Sequence, residues 1–176
     1  MKFVLILKPE TNFFPNIQNF IKSRIEEFAS IEKQVSLNLD PNVLFELYRN
    51  GFPKFPNSYS RDEILWIHEP KWGESKLLLI NYNDSVEYFR ENFIGGIYFQ
   101  EGTMRKYWQY IRDNSTNSLD FWQERGLEKI PKPPTSRKVP SDAMSPDRLY
   151  LLLNGIHCPK DIEEMKHDTS ILSKLF

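Results

Sequence analysis

With a single cysteine, Cys158, the chain has no intrachain disulfide open to it and no pair of thiols for a thiolate metal site. A reducing compartment is the expectation. It also lacks an excess of either charge: 23 Lys and Arg face 24 Asp and Glu, which leaves no long-range basic field to gather nucleic acid. Long apolar runs are missing too. The first, Phe3 to Leu7, stops at Lys8-Pro9, well short of a signal peptide's apolar region or of the roughly 20 residues that span a bilayer. These absences predict a soluble cytoplasmic protein with no membrane contact. Neither G-x-G-x-x-G nor G-x-x-x-x-G-K-[ST] occurs, which argues against Rossmann and P-loop nucleotide sites.

What is present suits one globular domain over residues 1–176, because a chain that is 40% hydrophobic can build a core. Residues 2–7 are aliphatic without a break, the pattern of a central strand buried on both faces. From Pro15 to Phe28, Ile17, Phe20, Ile21, Ile25 and Phe28 recur at helical spacing. Residues 31–39 alternate as a strand, and Asp40-Pro41 offers an N-cap and first-turn proline for a helix through Tyr48. Residues 50–73 read as an elaborated loop holding a short element, and 76–80 as a strand. Asp84 or Ser85 can cap a short helix through Arg90, and Gly95-Gly96 breaks the chain before a helix from about Gly102 to Arg112. Residues 114–146 hold prolines and little periodicity, 149–153 form the last strong strand, and 161–176 are helical. The order β, α, β, α, β, α, insertion, β, α predicts an α+β ferredoxin-like sandwich: a four-stranded antiparallel sheet covered on one face by helices.

Of the histidines, His68, His157 and His167, a lone one is usually structural. His157 has unusual neighbours. It follows the strand and a turn, Asn154-Gly155-Ile156, and precedes Cys158-Pro159-Lys160-Asp161 at the expected N-terminus of the last helix, where backbone N–H groups favour an anion. An imidazole that attacks phosphorus must be neutral and held in one tautomer, and a carboxylate on its other nitrogen achieves both. Asp168 is the candidate partner, although spacing alone favours a solvated helix face shared with Glu163, Glu164, Lys166 and His167. Lys8, at the end of a buried strand, either reaches solvent or forms one cationic pocket with Arg105 and His157.

Three segments resemble a known family. Phe3-Val4-Leu5-Ile6-Leu7-Lys8-Pro9 is similar to the first strand of the nucleoside diphosphate kinases, an apolar run followed by Lys-Pro-Asp. Asn154-Gly155-Ile156-His157 and the helix after it resemble the family's Asn-x-x-His-Gly-Ser-Asp segment, and Gly102-Thr103-Met104-Arg105 resembles its Gly-Thr-Ile-Arg. The resemblance implies that His157 is the phosphorylated histidine and that Asp168 stands where a glutamate orients it. It further implies that Lys8 and Asn154 contact sugar and phosphates, that Tyr48 is the active-site tyrosine, and that Arg105 and Arg90 grip phosphates. Phe55 or Phe52 would stack on the base. Mg2+ would arrive with the nucleotide rather than at a protein metal site, the substrates would be nucleoside tri- and diphosphates, and the protein would be a homo-oligomer. Insertions fall near 53–74 and 109–147, the second close to where family members meet one another. Cys158-Pro159-Lys160 replaces Gly-Ser-Asp, so a serine hydroxyl gives way to Pro159, and the loop from Gly95 to Gly102 is shorter, its threonine contact replaced near Ile97. These departures keep open a catalytically impaired nucleotide-binding or scaffold domain of the same fold. Nucleic-acid binding stands third, on aromatics and lysines interleaved in 106–140.

Overall fold

A computed structural model describes residues 1–49, 64–65, 68, 70–95, 103–114 and 154–176. Phe52, Phe55, Ile97, the strand expected at 149–153 and most of both expected insertions lie outside these described residues. Strand β1 (Lys2–Leu7) pairs antiparallel along its whole length with β3 (Ser75–Asn81), from Lys2 opposite Asn81 to Leu7 opposite Lys76. Its other edge pairs with β4 (Ile156–His157), Ile6 facing His157 and Leu7 facing Ile156. Strand β2 (Ser30–Leu37) lies antiparallel on the far side of β3, which gives the order β2-β3-β1-β4. This is the four-stranded antiparallel sheet of an α+β ferredoxin-like fold.

Successive side chains of β1 point to opposite faces, and both faces are buried. Phe3, Leu5 and Leu7 pack with Ile17, Ile21 and Ile25 of α1 (Pro15–Glu26), with Phe89 and with Trp108. Val4 and Ile6 pack with Leu44 and Leu47 of α2 (Pro41–Tyr48), with Trp72 and with Leu172. The expectation of helices on one face is therefore corrected: they cover both, because a strand apolar on both sides from Phe3 to Leu7 needs apolar cover on each.

Local signals set most helix starts. The Asp40 carboxylate accepts from Asn42 N–H at 2.8 Å, with Pro41 in the first turn of α2. Ser85, rather than Asp84, caps the four-residue α3 (Val86–Phe89), accepting from Tyr88 N–H at 3.1 Å, and the chain continues as a π turn over Arg90–Ile94. Helices α4 (Met104–Asn114) and α5 (Ile162–Leu172) complete the set, α5 running into a 3-10 turn at Ser173–Leu175. Several boundaries move from those expected. The first helix ends at Glu26, not Phe28, β2 ends at Leu37, not Leu39, and Ile156, read as part of a turn, belongs to β4. Inside the segment read as a loop, Pro70–Trp72 forms a 3-10 turn, and Ile64 and Trp72 are buried against the sheet.

Candidate active site

The site is built at the end of β1, where its short pairing with β4 begins. The Lys8 N–H donates to the Gly155 carbonyl at 2.8 Å, and the Gly155 N–H donates to the buried Glu10 carboxylate at 3.0 Å. Gly155 is thus held on both sides by the chain just beyond β1. It has φ +75°, and a Cβ there would lie 2.9 Å from the Trp108 ring, so the position suits only glycine. The clamp delivers His157 onto β4 opposite Ile6.

Past His157 the chain reverses. The Asp161 carboxylate caps α5 by accepting from Glu164 N–H at 2.8 Å, and Glu164 reaches back to accept from Lys160 N–H at 2.9 Å, a reciprocal cap that fixes the direction of entry. Helix α5 then packs on β1 and brings Asp168 back to the imidazole, whose Nε2 lies 2.8 Å from the carboxylate. His157 therefore sits on β4, four residues before the N-cap, and not at the helix N-terminus as the spacing suggested. The charge around it comes from side chains rather than from the helix end. Asp168 is wholly buried and His157 is 8% exposed. A carboxylate at Nε2 fixes the ring proton there and leaves Nδ1 with the nucleophilic lone pair.

Tyr48, on the last turn of α2, sets its ring against the imidazole, with centroids 5.4 Å apart at 65°. Its hydroxyl lies 3.4 Å from Nε2 of His68, whose Nδ1 lies 3.4 Å from the Ser75 hydroxyl on β3. Burial holds the pKa of His68 well below 6.5, and the neighbouring Lys8 and His157 disfavour a charge on it as well. His68 is the site residue that sequence reasoning missed; a single histidine in a segment rich in proline and glycine carries no local mark of its role.

Lys8 is 4% exposed, and burial lowers its pKa to about 8, against the opposing pull of Glu10 and with further lowering by Arg105. Arg105 is also buried. Its guanidinium donates to the Gly95 carbonyl at 2.7 Å and to the Ile156 carbonyl at 2.7 Å and 3.3 Å, so it staples the end of the π turn to β4 beside the histidine. Asn154 is buried at the start of the clamped turn. Arg90 opens the π turn, and its Nε is buried without a hydrogen-bond partner. Cys158 is inert by comparison, its thiol pushed up to about 12 by burial. The structure thus brings Lys8, Tyr48, Arg105, His157 and Asp168 to one end of β1.

The chain matches no protein-family model, and no curated protein matches it. Among solved structures it is similar to the nucleoside diphosphate kinase of Aquifex aeolicus, at 15% identity and TM-score 0.55, over 97% of this chain and 93% of that one. The enzyme of Borrelia burgdorferi, solved as a transition-state mimic with vanadate and ADP, aligns at 15% identity and TM-score 0.59, over 97% and 85%. That of Pyrobaculum aerophilum aligns at 15% and 0.57, over 97% and 93%. At this identity the likeness is one of fold. Among the described residues no helix is long and apolar enough to cross a membrane.

Proposed function

We propose that the chain is a phosphotransferase of the nucleoside diphosphate kinase type, working through a phosphohistidine at His157. The observation that carries this reading is the buried pair of His157 and Asp168, 2.8 Å apart, on a fold shared with those kinases. The lone pair on Nδ1 attacks the terminal phosphorus of a nucleoside triphosphate, the bond to the bridging oxygen breaks, and the diphosphate leaves with that electron pair. A second nucleoside diphosphate then attacks the phosphohistidine from the same pocket and restores the neutral ring. Asp168 holds the proton on Nε2 and offsets the positive charge that the ring gains on phosphorylation. Lys8, Arg105 and Arg90 are the cationic groups proposed to face the phosphates, Asn154 the sugar contact, Tyr48 a wall of the pocket, and Phe55 the base platform. Positioning and electrostatic stabilisation supply most of the acceleration in such a transfer. Mg2+ belongs here to the nucleotide, where it neutralises phosphate oxygens, and no protein carboxylate is assigned to it.

Incubation with a nucleoside triphosphate labelled on its terminal phosphate tests the reading. An acid-labile phosphoprotein is expected, and it disappears in His157→Gln. A stoichiometric chase of label into added diphosphate completes the cycle. No label on the native chain overturns the proposal. The second reading, a nucleotide-binding domain without turnover, is favoured by the low exposure of the His157 ring and by Pro159 where a hydroxyl is expected. Calorimetric binding of a nucleotide without label would establish it. The same reading carries a homo-oligomeric cytoplasmic protein, which sedimentation and fractionation check directly.

A further inference from the structure

Asp168 has a second oxygen. While Oδ2 meets His157, Oδ1 is buried and has no hydrogen-bond partner, in a side chain with no exposed surface. A buried carboxylate oxygen left without a partner is costly, and a cation bound there would recover that cost. One helical turn earlier on the same face of α5 stands Glu164, and donor atoms of His157, Glu164 and Asp168 all lie within 4.8 Å of one another. Two carboxylates at i and i+4 on a helix, with an imidazole delivered from a strand, make a chelating set whose backbone is already fixed by the reciprocal cap and by α5 packing on β1.

We propose that His157, Glu164 and Asp168 form a binding site for a borderline transition-metal ion, Zn2+ by chemistry, and that its occupation silences His157. One imidazole and two carboxylates suit Zn2+, whereas Mg2+ and Ca2+ favour all-oxygen sets, and three protein donors leave a further coordination position for water. On binding, the ring changes tautomer: Nε2 gives its proton to solvent and Nδ1 takes one up, the freed Nε2 lone pair goes to the metal, and Asp168 exchanges its hydrogen bond for coordination. Glu164 has two carboxylate oxygens, and only one of them is needed for the Lys160 N–H. With its proton on Nδ1 and Nε2 on the metal, the ring has no lone pair left to attack phosphorus. This regulatory consequence rests on the phosphotransferase reading; the binding site itself does not.

Calorimetric titration of the full chain with zinc chloride in a non-chelating buffer separates the two. One ion per chain is expected to bind, with affinity at least tenfold weaker in Glu164→Gln and in Asp168→Asn, and with no competition from excess Mg2+. Glu164→Gln is the informative variant because glutamine completes the same helix cap, and an unchanged melting temperature would show that the fold survives. Absence of stoichiometric binding, or an affinity unchanged by Glu164→Gln, overturns the proposal. In parallel, zinc is expected to reduce phosphohistidine labelling of the native chain, reversibly on chelation, and to spare Glu164→Gln. Zinc binding that depends on Glu164 without any label would leave the site standing and remove the phosphotransferase. Label that zinc cannot suppress, despite binding, would remove the silencing.

Discussion

The two edges of β1 are used differently. Toward β3 the strand is paired from Lys2 to Leu7, in unbroken register, and from Phe3 to Leu7 its side chains are apolar and buried on both faces. Toward β4 it is paired over two residues, and Lys8, Glu10, Arg105, His157 and Asp168 are all buried near that seam. A long ladder leaves no backbone or side chain to spare. A short one ends early, so that the residues just beyond it can be clamped by side chains and turned inward. One edge thus supplies cohesion and the other carries the proposed reactivity, a division that substitution can test.

The largest effect is expected from His157→Gln on the short edge: complete loss of the acid-labile phosphoprotein, with a thermal shift smaller than that of a core truncation. On the long edge, Leu78→Ala should destabilise the chain by about 2–5 kcal/mol in urea denaturation, because it removes a wholly buried side chain. Labelling per folded molecule should stay unchanged. If Leu78→Ala abolished labelling in folded protein, the division between edges would fail. Asp168→Asn should lower the rate of phosphohistidine formation by about a hundredfold, since the amide neither holds the ring proton as strongly nor offsets the developing charge.

Smaller effects follow the titration of the buried groups. Lys8 carries its charge at pH 7 and loses it as pH rises through about 8. Nucleotide affinity should therefore fall several-fold across that interval, and Lys8→Met should be weak and flat with pH. Folding runs the other way: between about 8 and 10.5 the unfolded chain holds the more protons, so the contribution of Lys8 to stability rises with pH. His68 gives the smallest effect and the opposite limb. Its folded pKa lies below the ordinary 6.5, so as pH falls through 6.5 the unfolded chain takes up the proton first and stability declines. Acid denaturation of His68→Gln should be less steep than that of the native chain.

The long edge was legible in the sequence because its physics is local. Five apolar residues without a polar break, Phe3 to Leu7, state that both faces are covered, and Asp40-Pro41 and Ser85 announce helix starts through their own side chains. The short edge was legible only in part. Ile156 and His157 are too few to show a period, and Gly155 before them mimics a turn. The pairing of His157 with Asp168 spans 11 residues and depends on the chain reversing at Asp161, which spacing does not reveal. His68 acquires its place through Tyr48 and Ser75, one from α2 and the other from β3. Residues joined by chain reversal and by contacts between distant elements are visible only once the sheet exists.

Gly155 has a hydrogen where any other amino acid would have a carbon, and the Trp108 indole fills the room this leaves. Any heavier substituent must expel that flat ring or loosen the grip of Lys8 and Glu10, and either would slide the imidazole along its neighbouring strand. The placement of the imidazole is thus gauged by a missing atom two positions ahead of it. Distant sequences that keep the same geometry should carry that gap together with a broad ring opposite it, even where the surrounding letters have changed.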